Sequence, residues 1–259
     1  MKYAICYRGI SYRENYFNEA GIDPYTVDFS DCILYNEKNL INPLFNEGNE
    51  VDIFFNTYDS KKLNEYIDKL KPVDVRISEF NEKIKKYNWS NVTQIIIDSL
   101  IQIKKYQEKN NIKYDYIILT RFDIVIFEDF SKIFLPKNSI SVPQRNDDCF
   151  IVISGDLLDL ALEIYNKNKN LCITHHMVYR FLEKGIRYHG MYPHKSGDEG
   201  AYNLPVWRLA RIMFVPNGHN GKEYNIEDVF DENSKFYGFK YSSHTEYTSC
   251  DRDEIYGPR

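Results

Sequence analysis

The sequence predicts an α/β protein organised on a mostly parallel sheet with crossover helices, and three observations carry that expectation. Tyr116 to Leu119 and Val51 to Phe55 are short apolar runs, rich in β-branched and aromatic residues, with no sustained polar alternation. Strands covered on both faces have that composition. Amphipathic helical stretches separate the runs. In the longest, Val92, Ile95, Ile96, Leu100, Ile103 and Tyr106 recur at helical spacing, with Lys104, Lys105 and Glu108 opposite. These two runs and a third, Lys2 to Tyr7, also end in charged or hydrogen-bonding groups: Thr120-Arg121-Phe122-Asp123, Asn56-Thr57-Tyr58-Asp59 and Arg8-Gly9. Parallel strands share one carboxyl edge, and open α/β sheets bind their ligands there.

The chain has 259 residues, enough for one large α/β domain or one domain with an appendage. A hydrophobic content of 43% supports a real core. The formal net charge of −5 argues against broad electrostatic binding of nucleic acid. Met1 to Arg8 turns polar too early for a secretory signal, and no apolar run approaches a membrane span. The 5 cysteines (Cys6, Cys32, Cys149, Cys172 and Cys250) are scattered, with no CxxC pair. Reduced, buried thiols in a cytosol-like compartment fit that better than a disulfide framework or a zinc site. The sequons at Asn88 and Asn91 are then chance matches.

Taken in order, Lys2 to Tyr7 is the first strand and Arg8 to Arg13 the loop leaving it. A helix begun near Arg13 is expected to close at Gly21. Ser30 or Asp31 is expected to cap a second helical segment through Ile33, Leu34, Leu40 and Ile41, with Pro43 bending or ending it. After the strand Val51 to Phe55, Asp59 or Ser60 is expected to cap a helix from Lys61 to Leu70. Val73 to Ile77 is a third strand, and Ser90 opens the long helix that leads into Tyr116. The order β-α-β-α-β-α-β follows. Beyond Asp123, short strands at Ile124 to Phe127, Ser139 to Val142 and Phe150 to Ile153 are separated by turns. Gly155-Asp156 starts a helix, and a second runs from His176 to Lys184 with Gly185 closing it. Gly190 to Gly200 is turn-rich, and Arg211 to Val215 is a late strand followed by a loop holding His219. From Lys222 the chain is polar and aromatic without periodicity, and neither an internal repeat nor a linker marks a second domain.

The chemistry concentrates in Arg121 and Asp123. Two residues apart, their side chains leave extended chain on the same side. A cation beside a carboxylate suits a metal-bound diphosphate, and it equally suits a structural ion pair closing a strand. Arg8 and Gly9 offer a close backbone approach, or an ordinary βα turn with solvated arginines. His175-His176 fits a helix start better than a zinc site, since no partner ligands accompany it. No P-loop, GxGxxG, GxSxG, HExxH or kinase signature is present.

In order and spacing these blocks resemble the GT-A-type glycosyltransferases of surface-glycan synthesis in bacteria and large DNA viruses. Val51 to Asp59 matches that family's second strand, and Asn42-Pro43-Leu44 stands ahead of it. Tyr114 to Ile124 matches its "yDyvirtRfDl" block, and Asp148 to Asp156 its "DqfflsSgd" block. The resemblance covers residues 1 to 185. It implies one GT-A-like domain: a Rossmann-type nucleotide-binding sheet with flanking helices (1–126), a smaller acceptor-binding part (127–221) and a C-terminal extension (222–259). The activity implied is transfer of a sugar from a nucleotide diphosphate sugar, UDP first among them, to a glycan or glycoconjugate hydroxyl.

On the same resemblance, Arg121-x-Asp123 stands in place of DxD, with Asp123 reaching Mn²⁺ or Mg²⁺ and Arg121 the diphosphate. Arg8, Gly9, Thr57 and Tyr58 would line the nucleotide pocket. By its own position, on a glycine-flanked loop after the last strand, His219 fits a late metal or phosphate contact, and it equally fits an exposed loop histidine with no such role. By position Asp148, with Asp147 and Asp198 behind it, is the candidate base for an inverting reaction, the alternative being that the Asp147-Asp148 pair only starts a strand or bonds a turn. The missing first aspartate of DxD leaves metal dependence open and keeps a second reading alive, a binding protein that has lost turnover. A third, a sugar-phosphate nucleotidyltransferase, lacks the Gly-rich basic loop that grips a triphosphate. The expected place is the cytoplasm (the host's, if the source is a virus), without nucleic acid or a membrane span, and a homodimer stays open.

Overall fold

A computed structural model of the chain describes residues 1–16, 25–78, 89–126, 129–133, 135–142, 150–169, 177–190 and 209–211. Strand β1 (Lys2–Gly9) opens the chain, and β2 (Tyr12–Tyr16) and β3 (Tyr25–Asp28) form a small antiparallel pair. Helix α1 (Ser30–Asn36) runs through a π-turn (Glu37–Ile41) into α2 (Asn42–Asn46). Then come β4 (Glu50–Tyr58), α3 (Leu63–Leu70), β5 (Asp74–Ser78), the long α4 (Trp89–Asn110) and β6 (Tyr116–Arg121). Strands β7 (Ile124–Ile126), β8 (Ser139–Val142) and β9 (Phe150–Ser154) follow, then α5 (Leu158–Lys167), α6 (Met177–Glu183), β10 (Arg187–Gly190) and β11 (Leu209–Arg211).

The main sheet is 7-stranded in the order β10-β8-β9-β6-β1-β4-β5. Strands β6, β1, β4 and β5 run parallel, β9 is antiparallel to β6 and β8, and β10 is parallel to β8. The class is therefore α/β with a mostly parallel sheet, and the helical crossovers fall where the amphipathic stretches predict them. Alternation sorts β1 onto two faces. Tyr3, Ile5 and Tyr7 pack with Ile33, Leu40 and Leu44 of the α1–α2 segment and with Leu63 and Tyr66 of α3. Ala4 and Cys6 pack with Ile96, Leu100 and Ile103 of α4, in a cluster that continues into α5 and α6. Both faces are dry, which is why these strands lack a polar side.

Four local expectations need correction. Tyr12 onward is a strand and not the start of a helix, because its aromatic and β-branched partner Tyr25–Asp28 lies alongside it. Gly21 lies outside the described residues. Neither Ser30 nor Asp31 caps α1: the N-cap is Phe29 with no side-chain bond, and Ser30 Oγ instead lies 3.2 Å from the Tyr66 hydroxyl. Likewise α3 begins after Lys62 without a side-chain cap, Asp59 being exposed while the Ser60 carbonyl accepts from the Leu63 N–H. Finally, of the two outcomes expected at Pro43, an end to the helix is not found: α2 continues through it to Asn46. The backbone widens before it, with the Asn42 N–H reaching back to the Glu37 carbonyl. Proline has no N–H and crowds the carbonyl four residues earlier, and a π-turn moves that carbonyl out of the way. Strand β10 was not expected either; Arg187-Tyr188-His189-Gly190 lies at the sheet edge, where a polar strand is tolerated.

The dry faces make stability sensitive to alkali. Burial pushes the Tyr3 phenol up to about 12 and the Cys6 thiol up to about 12, and it raises Tyr7 as well. Unfolded, these groups ionise near 10 and 9. Between those values and the folded ones the unfolded chain holds fewer protons, so stability is full below the unfolded pKa and falls as pH rises. Each such group costs about 1.4 kcal/mol per pH unit in that window. Urea midpoints are expected to fall steeply above pH 10; a flat profile to pH 12 would mean that these groups are hydrated in the fold.

Candidate functional site

The carboxyl ends of β1, β4 and β6 lie level with one another. Register pairs Arg8 with Asn56 on one side and with Arg121 on the other. The neighbours Cys6, Phe54 and Leu119 all belong to the α4 face, so by alternation Arg8, Asn56 and Arg121 form a row on that face. Asn56 is tied down: its Nδ2 donates to the Ile95 carbonyl and to Ser99 Oγ of α4. Two guanidiniums on adjacent strands repel each other unless an anion or carboxylate is near.

Asp123 is such a carboxylate. The Arg121 Nε donates to Asp123 Oδ1 at 2.8 Å, and the second fork nitrogen donates to Oδ2 at 2.9 Å. The pair is bidentate, the strongest arginine–carboxylate geometry. It is also inward: Asp123 is 2% exposed and the Arg121 side chain 17%. Arg8 is 2% exposed. The turn holds this pose because Phe122 points to the opposite face and is fully buried there. Its ring meets Tyr7, Phe55 and Tyr66 at centroid distances of 5.5, 5.3 and 6.3 Å. The middle residue of Arg-Phe-Asp is thus an anchor, a role that sequence reading missed although an aromatic between two charges was the available signal.

Gly9 continues β1 past Arg8 with φ +94°, a backbone conformation that favours glycine. Its carbonyl accepts from Thr57 Oγ1 at 2.7 Å. Thr57 is therefore buried and its proton is committed to closing β1 against β4, while Tyr58 beside it is half-buried. Lys61 and Lys62 approach the Tyr12 ring at 5.2 and 5.5 Å, adding positive charge near this end of the sheet.

Downstream of the turn, β7 leaves the main sheet. One of its edges pairs with β11, in the register Arg211 to Ile124 and Leu209 to Ile126. The other is held by two asparagine side chains, Asn36 and Asn39. Sequence reading missed both, although Asn36 falls on the apolar stripe of Ile33 and Leu40, where a polar residue needs a reason. Asp147, Asp148, Asp198 and His219 lie outside the described residues, as do the residues after Arg211 in the predicted late strand.

The donor set near Asp123 is thin for a divalent cation. Among the described residues no group of three or more His, Cys, Asp or Glu side chains gathers at one point, and both Asp123 oxygens already accept from Arg121. Magnesium and manganese take about six hard donors in a near-octahedral shell. The described residues do not by themselves fit such a shell. No helix among them is long and apolar enough to cross a membrane.

No protein-family model and no curated protein matches the sequence. Among solved structures, the chain is similar to a glycosyltransferase involved in the glycosylation of the major capsid of PBCV-1, with 10% identity over 73% of this chain and 82% of that one and a TM-score of 0.39. It is similar to the catalytic domain of Drosophila β1,4-galactosyltransferase 7 bound to xylobiose, with 10% identity over 86% and 75% of the two chains and a TM-score of 0.39. A mutant of that enzyme in complex with manganese, UDP-Gal and xylobiose gives 10%, 86%, 75% and 0.37. At such scores the likeness carries no argument about the site, and the fold stands on the strand order described above.

Proposed function

We propose that this chain is a nucleotide-sugar glycosyltransferase of GT-A architecture, moving a sugar from a nucleoside diphosphate donor to a glycan hydroxyl. The observation that supports it most is the bidentate Arg121–Asp123 pair at the carboxyl edge of the parallel strands, level with Arg8. The resemblance of residues 1 to 185 to that family, stated from sequence motifs, supports it independently. In this reading residues 1–126 hold the donor, 127–221 the acceptor, and 222–259 form an extension.

Arg121 and Arg8 face the donor's diphosphate. Charge accumulates on that group as the glycosidic bond breaks, and fixed guanidiniums offset it without reorganising. Asp123 holds the planar Arg121 fork in one orientation. Gly9 lets backbone approach the ligand, and Thr57 fixes that backbone through the Gly9 carbonyl while Tyr58 lines the pocket. Asp148 takes the acceptor proton if the reaction inverts, and His219 is a late phosphate or metal contact. The metal question is carried as an experimental arm, since the described donor set does not fit a cation unaided.

The test is a thermal-shift screen of UDP, GDP, CDP and dTDP and their sugars, each with Mn²⁺, with Mg²⁺ and with EDTA. A ligand at a hundred times its Kd stabilises the native state by about 2.7 kcal/mol, or roughly 5–10 °C for a chain of this size. One nucleoside diphosphate is expected to give that shift. Survival of the shift in EDTA assigns the diphosphate to the arginines, and its loss gives Asp123 a metal. No shift with any of them would sink the transferase reading.

A further inference from the structure

Strand β7 is only Ile124–Ile126, too short to fix itself, yet it is the segment that the Arg121–Asp123 turn runs into. Residues two apart in a strand present their backbone groups to the same edge. On the edge away from β11, the Ile124 carbonyl accepts from Asn36 Nδ2 at 2.8 Å, and the Ile126 N–H donates to Asn36 Oδ1 at 3.1 Å. One side-chain amide thus takes the part of a peptide group in a neighbouring strand. The Ile126 carbonyl accepts from Asn39 Nδ2 at 2.7 Å, which completes the row.

Asn36 is 0% exposed. Asparagine is a weak helix former, and a buried amide is tolerated only when both of its ends are bonded. Here both ends are used, and both on the same three-residue segment. Asn36 ends α1 directly before the π-turn, a feature common at functional positions, and Asn39 lies inside that turn. Downstream of Asp123 the chain is therefore held from α1, while upstream it is held by β6 in the main sheet. Phe122 fixes the middle.

We infer that Asn36 is the positioning residue of the Arg121–Asp123 turn, setting the pose of the guanidinium–carboxylate pair without touching the ligand. The effect on ligand binding rests on the transferase reading; the effect on the turn does not. Partners that orient metal ligands typically change affinity by about 10–100-fold when removed, and by analogy the low end of that range is the effect expected here.

The experiment compares Asn36→Ala, the milder Asn39→Ala, and Gln102→Ala as a control. Gln102 is 5% exposed and also donates to strand backbone, at the Phe55 carbonyl, but it does so from α4 and to β4 rather than to β7. Amide hydrogen exchange is followed by mass spectrometry, and UDP affinity by calorimetry well below every melting temperature. Asn36→Ala is expected to speed exchange in the peptide covering residues 122–126 selectively and to weaken UDP about tenfold. Asn39→Ala should follow with a smaller effect, and it carries the comparison if Asn36→Ala does not fold. Gln102→Ala should leave both unchanged. In an Arg121→Ala background, Asn36→Ala should have little further effect on affinity, because the two act through one group. Exchange at 122–126 no faster than in the control overturns the inference, as does unchanged affinity with faster exchange. If the wild-type chain binds no nucleotide, the transferase reading falls, and exchange at Phe122 and Asp123, whose amides Asn36 does not bond, decides whether Asn36 positions the turn; faster exchange confined to Ile126, which loses its own acceptor, overturns the inference.

Discussion

Replacing Gly155 with alanine is expected to lower the melting temperature by roughly 10 °C, corresponding to about 3–4 kcal/mol for a chain of this size. The reason is a collision with backbone rather than a loss of flexibility. A Cβ on Gly155 would stand 1.7 Å from the Tyr114 carbonyl oxygen and 2.7 Å from its carbon. Neither atom is at liberty to retreat. The Gly155 N–H donates to the Asp115 carbonyl at 2.8 Å, and the Asp115 N–H donates to the Lys2 carbonyl at 2.8 Å. The Asp115 carboxylate in turn accepts from the Lys2 N–H at 2.7 Å. The entry into β6 is thus pinned by the start of β1 and by the end of β9 at once. Gly185 provides the comparison: it closes α6 with φ +75° and has nothing near its missing Cβ. Alanine there costs only the left-handed backbone penalty, about 1–2 kcal/mol. If both variants melt alike in scanning calorimetry, the close approach at Gly155 is absent in solution.

That contact shows where sequence reasoning stops. Gly155 was legible as the start of a helix, because Leu157, Leu160 and Ile164 follow it at helical spacing. Its contact with Tyr114, some forty residues earlier, leaves no mark on local pattern. The strands β1, β4 and β6 were legible for the opposite reason, since burial on both faces removes polar residues from the run itself. The capping expectations failed because Ser30 and Ser60 have the right side chains in the wrong places, α1 starting at Ser30 itself and α3 only after Lys62. The Ser30 hydroxyl meets Tyr66. The Ser60 hydroxyl is buried and has no hydrogen-bond partner among the described residues. At the candidate site, Arg121 and Asp123 stood out because charge is rare at the end of an apolar run. Asn36, Asn39 and Phe122 did not, because their function is to support that charge across the fold, and each alone looks like ordinary helix or core.

On the transferase reading, substituting Asp123 with alanine is expected to reduce nucleoside diphosphate affinity by about tenfold or more, since Arg121 is then no longer held in one pose for a charge-assisted, bidentate contact. Without its partner, the Arg121 fork is free to rotate, and the row that includes Arg8 loses its described carboxylate. Stability should also fall, since removing one member of a buried pair leaves the other charge uncompensated; the partly exposed Arg121 limits that cost to about 1–3 kcal/mol. The alanine variant alone therefore mixes two effects, and Asp123→Asn separates them. Asparagine keeps the volume and one acceptor for the guanidinium, so it avoids the cavity left by alanine and loses only the charge and the second hydrogen bond. Arg121→Lys makes the complementary change, keeping the charge and losing the planar fork. Calorimetric titration with UDP, run at a temperature where circular dichroism shows all variants folded, should find both weaker than wild type by at least tenfold. Suppose instead that Asp123→Asn binds UDP as tightly as the parent while melting several degrees lower. The pair would then be a structural closure of β6, and the positive charge that meets the ligand would have to come from Arg8 and from Lys61 and Lys62 around Tyr12.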